Sequence, residues 1–341
     1  MLVILVGGFA IPYAIAMQNT YTRSDKGATT TPLARLLPKV EPKLDTAAYD
    51  KKLIAVANYA STTSSTTARL WPAKAVYPKA GAILPFKRIV AYYGNFYSTK
   101  MGVLGEYPRE EVIAKLKGEV AKWNAADPKT PVVPAIDYIA VTAQGSAGAD
   151  GKYRLRMPAE HIEKAISMAN EVNGIVILEV QAGLSTYQAE LPVLEKYLKE
   201  PNVHLALDPE FYMKGGQEPG TVIGTVSAAD VNYVAGYLAN LVKENNLPPK
   251  ILIIHRFTQR MVTGYQNIMP LPEVQIVMVM DGWGAPARKI NTYKSFIAPE
   301  PVQFTGFKIF YKNDLKETPP RLLTPEEVLK LTPQPSFIQY Q

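Results

Sequence analysis

Asp208 and Glu210 stand two residues apart at the end of an apolar run, Val203-His204-Leu205-Ala206-Leu207-Asp208-Pro209-Glu210-Phe211. Side chains alternate across a strand, so His204, Ala206, Asp208 and Glu210 are expected on one face and Leu205 and Leu207 on the other. A carboxyl beside a second carboxyl in a buried place resists ionisation, because lost hydration and like charge both disfavour the anion. Such a pair suits acid–base chemistry, in which one group gives a proton while another stays ionised. Glu210 is the candidate acid and Asp208 its orienting or charge-holding neighbour. Asp281 or Glu179 is the second carboxylate.

The same alternation, applied to the other apolar runs, gathers further polar groups at one end of the fold: Tyr92, Asp137, Gln181, His255 and Lys308. Tyr92 and Trp283 have the flat apolar faces that line a sugar site, and His255 and Lys308 suit polar or anionic groups. Asp137 and Gln181 complete the expected rim. Hydrolysis of a glycoside needs a protonated carboxyl for the leaving oxygen and a second carboxylate about 5–5.5 Å or about 6.5–9.5 Å away, according to stereochemistry. The same groups also fit a paired polar layer without turnover, since buried charge is tolerated when partnered. His204, at the N-terminal end of its strand, reads as a core histidine rather than a ligand, and Trp283 serves equally well in packing. A divalent ion among Asp137, Glu179, Asp208 and Asp281 is the weaker reading, because no diagnostic ligand spacing accompanies them. No metal and no other cofactor is expected.

Positioning these residues takes a repeated strand–helix pattern that begins at Phe86. Strands are expected at 88–93, 132–138, 175–181, 203–208, 251–256, 275–281, 304–311 and 337–340. Between them run helical stretches at 108–123 and 158–172, each opened by proline, and at 187–198 and 228–244, the last behind Ser227 as cap. Weaker helices are expected at 258–268, 287–296 and 325–331. Eight β-α alternations predict an α/β fold of the (β/α)8 TIM-barrel type, in which the C-terminal ends of the strands carry the chemistry. An open doubly wound sheet is the runner-up. A dinucleotide site is not supported, because Gly94-Asn95-Phe96 after the first strand is no G-x-G-x-x-G turn.

The 341 residues carry 47% hydrophobic side chains, enough for a sizeable core, and a formal charge of +7 spread without a basic run. Nucleic acid is therefore not an expected partner. The absence of cysteine removes disulfides, thiolate metal sites and cysteine nucleophiles. Met1 to Met17 carries no charged side chain and, continued to Thr22, is about long enough to reach across a hydrocarbon core. Residues 1–22 are thus expected to be an apolar membrane anchor or an uncleaved signal segment, and the remainder extracytoplasmic, periplasmic or at the cell surface. Residues 23–85, rich in Thr, Ser, Ala, Pro and Lys, form an arm in which only Asp45 to Tyr59 has helical content. Such a segment cannot make a core alone and is expected to lie on a partner. The barrel occupies 86–341.

The Asp208-Pro209-Glu210 ending resembles the D-x-E close of the fourth strand in chitinase-like and lysozyme-like glycoside hydrolase barrels. The stretch 86–341, with YYGNF after the first strand and MDGWG after the sixth, is similar to secreted bacterial glycoside-hydrolase-like (β/α)8 barrels of uncharacterised function. The longer chitinase D-x-x-D-x-D-x-E pattern would place its upstream aspartates at Val203 and Ala206, so only Asp208 is retained. The resemblance therefore implies a hydrolase-like ancestry without the substrate-assisted mechanism. Three functions follow. The favoured one is an accessory, structural subunit docked through the N-terminal segment and arm on an integral-membrane complex, such as a photosynthetic or respiratory assembly, and touching membrane lipid. The alternatives are a cell-envelope glycoside hydrolase using Glu210 and a barrel that binds glycan without turnover.

Overall fold

The computed structural model describes residues 43–58 and 76–341. Eight strands run parallel: β1 (Arg88–Gly94), β2 (Val132–Ala143), β3 (Ile175–Val180), β4 (Val203–Leu207), β5 (Lys250–Arg256), β6 (Val274–Met280), β7 (Phe304–Ile309) and β8 (Phe337–Tyr340). Each pairs with its neighbour in chain order, and β8 pairs with β1, with Tyr92 opposite Tyr340 on one side and Ile136 on the other. The sheet is therefore a closed eight-stranded barrel. A strand in such a barrel is covered on both faces, which is why these segments read as nearly unbroken apolar runs.

The covering helices follow α1 (Thr46–Ala57), which precedes the barrel; they are α2 (Arg109–Ala126), α3 (Ala159–Glu171), α4 (Tyr187–Leu198), α5 (Ala228–Glu244) and α6 (Pro286–Thr292). Their starts have local causes. Thr186 accepts from the Ala189 amide ahead of α4, and Ser227 with Asp230 forms a reciprocal capping box ahead of α5. Outward residues of the strands, among them Leu205, Leu207, Leu252 and Ile254, pack against Leu191, Val231, Val234 and Leu238 of the helices in one continuous layer.

Inside the barrel the side chains change character with height. The lower interior holds Ile89, Ala135, Ile175, Ile177, Ala206, Ile251, Ile253, Val277, Phe304 and Phe337, and α1 adds Tyr49, Leu53 and Val56 to that cluster. α1 thus stoppers the N-terminal end of the barrel with its apolar face. Its C-cap, Asn58, adopts the left-handed conformation, and its side chain donates to the Leu331 carbonyl at 2.8 Å while Gln334 N donates to Val56 O at 2.7 Å. Residues 43–58 and 76–85, assigned above to the arm, belong to the same compact unit as the barrel. The expected anchor at 1–22 lies outside the described residues, and among the described residues no helix is long and apolar enough to cross a membrane.

One expected helix is absent. Residues 258–268 form two single 3-10 turns, Gln259–Met261 and Tyr265–Asn267, around a two-residue strand, Val262–Thr263, that pairs with Val226–Ser227. The β-branched pair Val262-Thr263 favours extended backbone, and Gly264 sits at φ 66°, a left-handed position that interrupts a helix. Two other helices are shorter than expected: Pro325–Val328 ends within one turn, and α6 passes into a π turn over Tyr293–Ile297.

Candidate functional site

A cavity of about 540 Å³ opens at the C-terminal ends of the strands, where Tyr93, Gln181, Asp208, Glu210, Asp281 and Lys308 face it and Trp283 and Arg288 stand at its mouth. Asp208 follows β4 directly. Glu210 is carried in by a 3-10 turn, Pro209–Phe211, rather than by continued strand alternation, and its backbone N–H donates to Asp208 Oδ1 at 3.0 Å. Asp281 is the first residue after β6, and Lys308 projects inward from β7.

Beneath this lining lies a wholly buried layer made by Asp137, Glu179 and His255. Glu179 Oε1 accepts from the Tyr93 hydroxyl at 2.8 Å and from Gln181 Nε2 at 3.1 Å. Gln181 also donates to Asp208 Oδ2 at 3.2 Å, which links the buried layer to the cavity wall. His255 stands between two carboxylates, Nε2 at 3.0 Å from Glu179 Oε2 and Nδ1 at 3.1 Å from Asp281 Oδ2. Both contacts have ion-pair distances but lack hydrogen-bond alignment. Lys308 Nζ reaches Asp281 Oδ1 at 2.9 Å and lies 4.0 Å from the centre of the Tyr93 ring. Gln339 Nε2 donates to Asp137 Oδ2 at 2.6 Å.

These surroundings divide the acids into two kinds. Burial and the Glu179 charge push Asp137 up to about 8, and the same two causes hold Asp208 well above the ordinary carboxyl range. Burial, with Asp281 nearby, raises Glu210 to about 7. For Asp281 burial works the same way, but Lys308 and His255 overcome it and hold the group down at about 2. His255 is disfavoured as a cation by burial, yet Asp281 and Glu179 keep it charged, with a pKa of about 10. At neutral pH the cavity therefore presents a fixed anion, Asp281, beside a fixed cation, Lys308, and a titrating acid, Glu210.

Of the residues expected to act, the structure brings Glu210, Asp208, Asp281, Glu179, Asp137, Gln181, His255 and Lys308 into this one end of the barrel, with Trp283 at the mouth. Tyr92 is not among them. It points outward, its hydroxyl 3.0 Å from that of Tyr311 and its ring edge-on to Tyr340. Tyr93 takes the inward place. In Arg88-Ile89-Val90-Ala91-Tyr92-Tyr93 the small Ala91 marks the inner face, as Ala135 and Ala206 do on their strands, and that face continues to Tyr93. Gln339 was also missed, although it is the one polar side chain in an otherwise apolar and aromatic strand. His204 is a core residue: its Nδ1 accepts from Ile251 N at 3.0 Å, far below the cavity.

No protein-family model matches the chain, and no curated protein matches it in sequence. Among solved structures it is similar to a hyperthermophilic endo-β-1,4-glucanase determined with substrate, at 10% identity over 75% of this chain and 89% of that one, with a TM-score of 0.39. A GH5-4 broad-specificity endoglucanase from an uncultured bovine rumen ciliate shares 11% identity over 71% and 78%, with a TM-score of 0.39. The Bacillus subtilis mannanase BCman shares 10% over 88% and 87%, with a TM-score of 0.36. These neighbours are glycoside hydrolases, but at such identities and scores they carry no weight for this chain; the barrel rests on its own strand pairing.

Proposed function

We propose that the barrel is a glycoside hydrolase in which Glu210 is the general acid and Asp281 the ionised carboxylate. The observation that carries this reading is the unequal partnering of two carboxyls on one cavity. Asp281 is held by Lys308 and His255, so it stays charged and has no proton to give. No hydrogen bond or ion pair to the Glu210 carboxyl occurs among the described residues, so this group is free to turn to a bound ligand. Environments that separate two acids in this way assign the donor and the anion. Glu210 protonates the leaving oxygen, and Asp281 faces the positive charge that develops at the sugar carbon, either attacking it or activating water. Trp283, 45% exposed at the mouth, offers a flat face to a sugar ring.

The test is turnover of a panel of envelope and plant glycans by the wild-type chain and by Glu210→Gln. A fall of about 10²–10⁴-fold in kcat on a substrate the wild type cleaves, with the fold intact, is the expected result. Glycan binding by the wild type without cleavage of any member would make the barrel a binding module instead. The membrane anchor and the docking arm fall largely on residues 1–42 and 59–75, outside the described residues, and we carry extracytoplasmic tethering to a membrane complex as a part of the proposal. Release of the chain from washed membranes as a free particle of its own mass would remove that part.

A further inference from the structure

Asp137, Glu179 and His255 share a feature that the hydrolase reading does not use. Asp137 and Glu179 each have one oxygen held by hydrogen bonds and one, Oδ1 and Oε2, buried without such a partner, and neither nitrogen of His255 has an aligned hydrogen bond, its Nε2 standing at ion-pair distance from Glu179 Oε2. One ligand atom from each residue lies within 4.8 Å of the others, and all three residues are fully buried. Leaving a buried polar atom unmade costs about 1–3 kcal/mol, and three such atoms converging on one point ask for a common partner.

We propose that these three residues form a divalent-metal site beneath the cavity floor, taking a first-row ion of the zinc, manganese or cobalt class. One imidazole nitrogen and two carboxylate oxygens are a ligand set that such ions accept, with the ion taking the place of the proton on His255 Nε2, which leaves to solvent. The 3.0 Å between His255 Nε2 and Glu179 Oε2 matches the edge between two ligands that each lie about 2.0–2.2 Å from such an ion. The supporting contacts match as well. Ligating histidines and carboxylates are oriented by hydrogen bonds on the atoms that do not touch the metal. Here Asp281, itself held by Lys308, stands at ion-pair distance, 3.1 Å, from His255 Nδ1, an electrostatic contact rather than an aligned hydrogen bond. Gln339 holds Asp137 Oδ2, and Tyr93 with Gln181 holds Glu179 Oε1. The three ligands come from β2, β3 and β5 and none lines the cavity, so the ion ties strands together below the substrate and does not touch it. The site stands independently of the proposed hydrolase activity.

The experiment uses the full chain, untagged and stripped with a chelator, and titrates it with Zn²⁺ and separately with Co²⁺. Expected are one ion retained per chain after gel filtration, a rise in Tm, and a Co²⁺ visible spectrum of nitrogen–oxygen coordination. Asp137→Asn should abolish these, and Tyr93→Phe, which removes the hydroxyl that donates to Glu179 Oε1 and accepts from Gln181 while leaving all three ligands in place, should weaken binding about 10–100-fold. Glu210→Gln should bind as the wild type does, which separates this site from the acid above it. A stripped wild-type chain that retains no ion and shows no change in Tm would overturn the proposal and leave the gap to buried water. Should Asp137→Asn fail to fold, Tyr93→Phe decides alone: unchanged affinity overturns the assignment.

Discussion

Replacing Glu210 by glutamine should stabilise the protein, and only at neutral and alkaline pH. An unfolded glutamate releases its proton near 4.5, whereas burial and Asp281 delay this to about 7 in the folded chain. Between those values the folded state binds more protons than the unfolded state, so stability falls as pH rises and the loss is complete above about pH 7. The gap corresponds to about 3 kcal/mol at 1.36 kcal/mol per pH unit. Because the cavity is open to solvent and the neighbouring charges are coupled, about 1–3 kcal/mol is the reasonable range. Glutamine has the same shape and no charge to desolvate. Urea unfolding of both proteins at about pH 4 and about pH 8.5 measures the difference directly, with equal m-values as the check on two-state behaviour. The variant should match the wild type in acid and exceed it in base. An equal difference at both pH values, or a variant weaker in base, would refute the claim that Glu210 sits in the folded state at an energetic disadvantage. The same variant should be the inactive one, so function and stability part at a single side chain.

Three further outcomes are expected. Lys308→Met removes one of the two cations beside buried Asp281 and should cost about 3–5 kcal/mol in urea unfolding; a cost under about 1 kcal/mol would mean His255 suffices alone. Leu53→Ala should cost about 2–4 kcal/mol through the cavity it leaves where α1 closes the barrel, and an unchanged midpoint would show that α1 does not close it in solution. Trp283→Ala should weaken glycan binding, read by titration calorimetry, while leaving the unfolding midpoint nearly in place because the side chain is exposed at the mouth and outside the buried core.

The barrel was legible because its strands are buried on both faces: Ile175–Val180 and Val274–Met280 can be little else in chains of this pattern. Helices α4 and α5 were legible to the residue, α5 because Ser227 marks its start, and the Thr186 cap that starts α4 is a local signal the sequence analysis did not use. What failed depended on facing. In Tyr92-Tyr93 both residues are aromatic, so hydrophobicity does not say which turns inward, and a one-residue slip exchanges the faces. The depth of each acid was not legible either. Asp137 and Glu179 lie below Asp208 and Asp281 because neighbouring strands are staggered around a closed barrel, and that stagger is a property of the whole ring. The helical content of Asp45 to Tyr59 was visible, but nothing local told where that helix would dock.

That docking has a consequence for synthesis. α1 is among the first parts of the described chain to leave the ribosome, yet its C-terminal end is fastened to Leu331, Thr332 and Gln334. β1 likewise waits for β8 to pair its free side. Neither α1 nor β1 can complete its contacts until the segment from Leu331 to Tyr340 has been made. The nascent barrel must therefore pass through a stage with an unpaired strand edge and an uncovered apolar mouth, the kind of surface that holding chaperones recognise and that aggregation exploits.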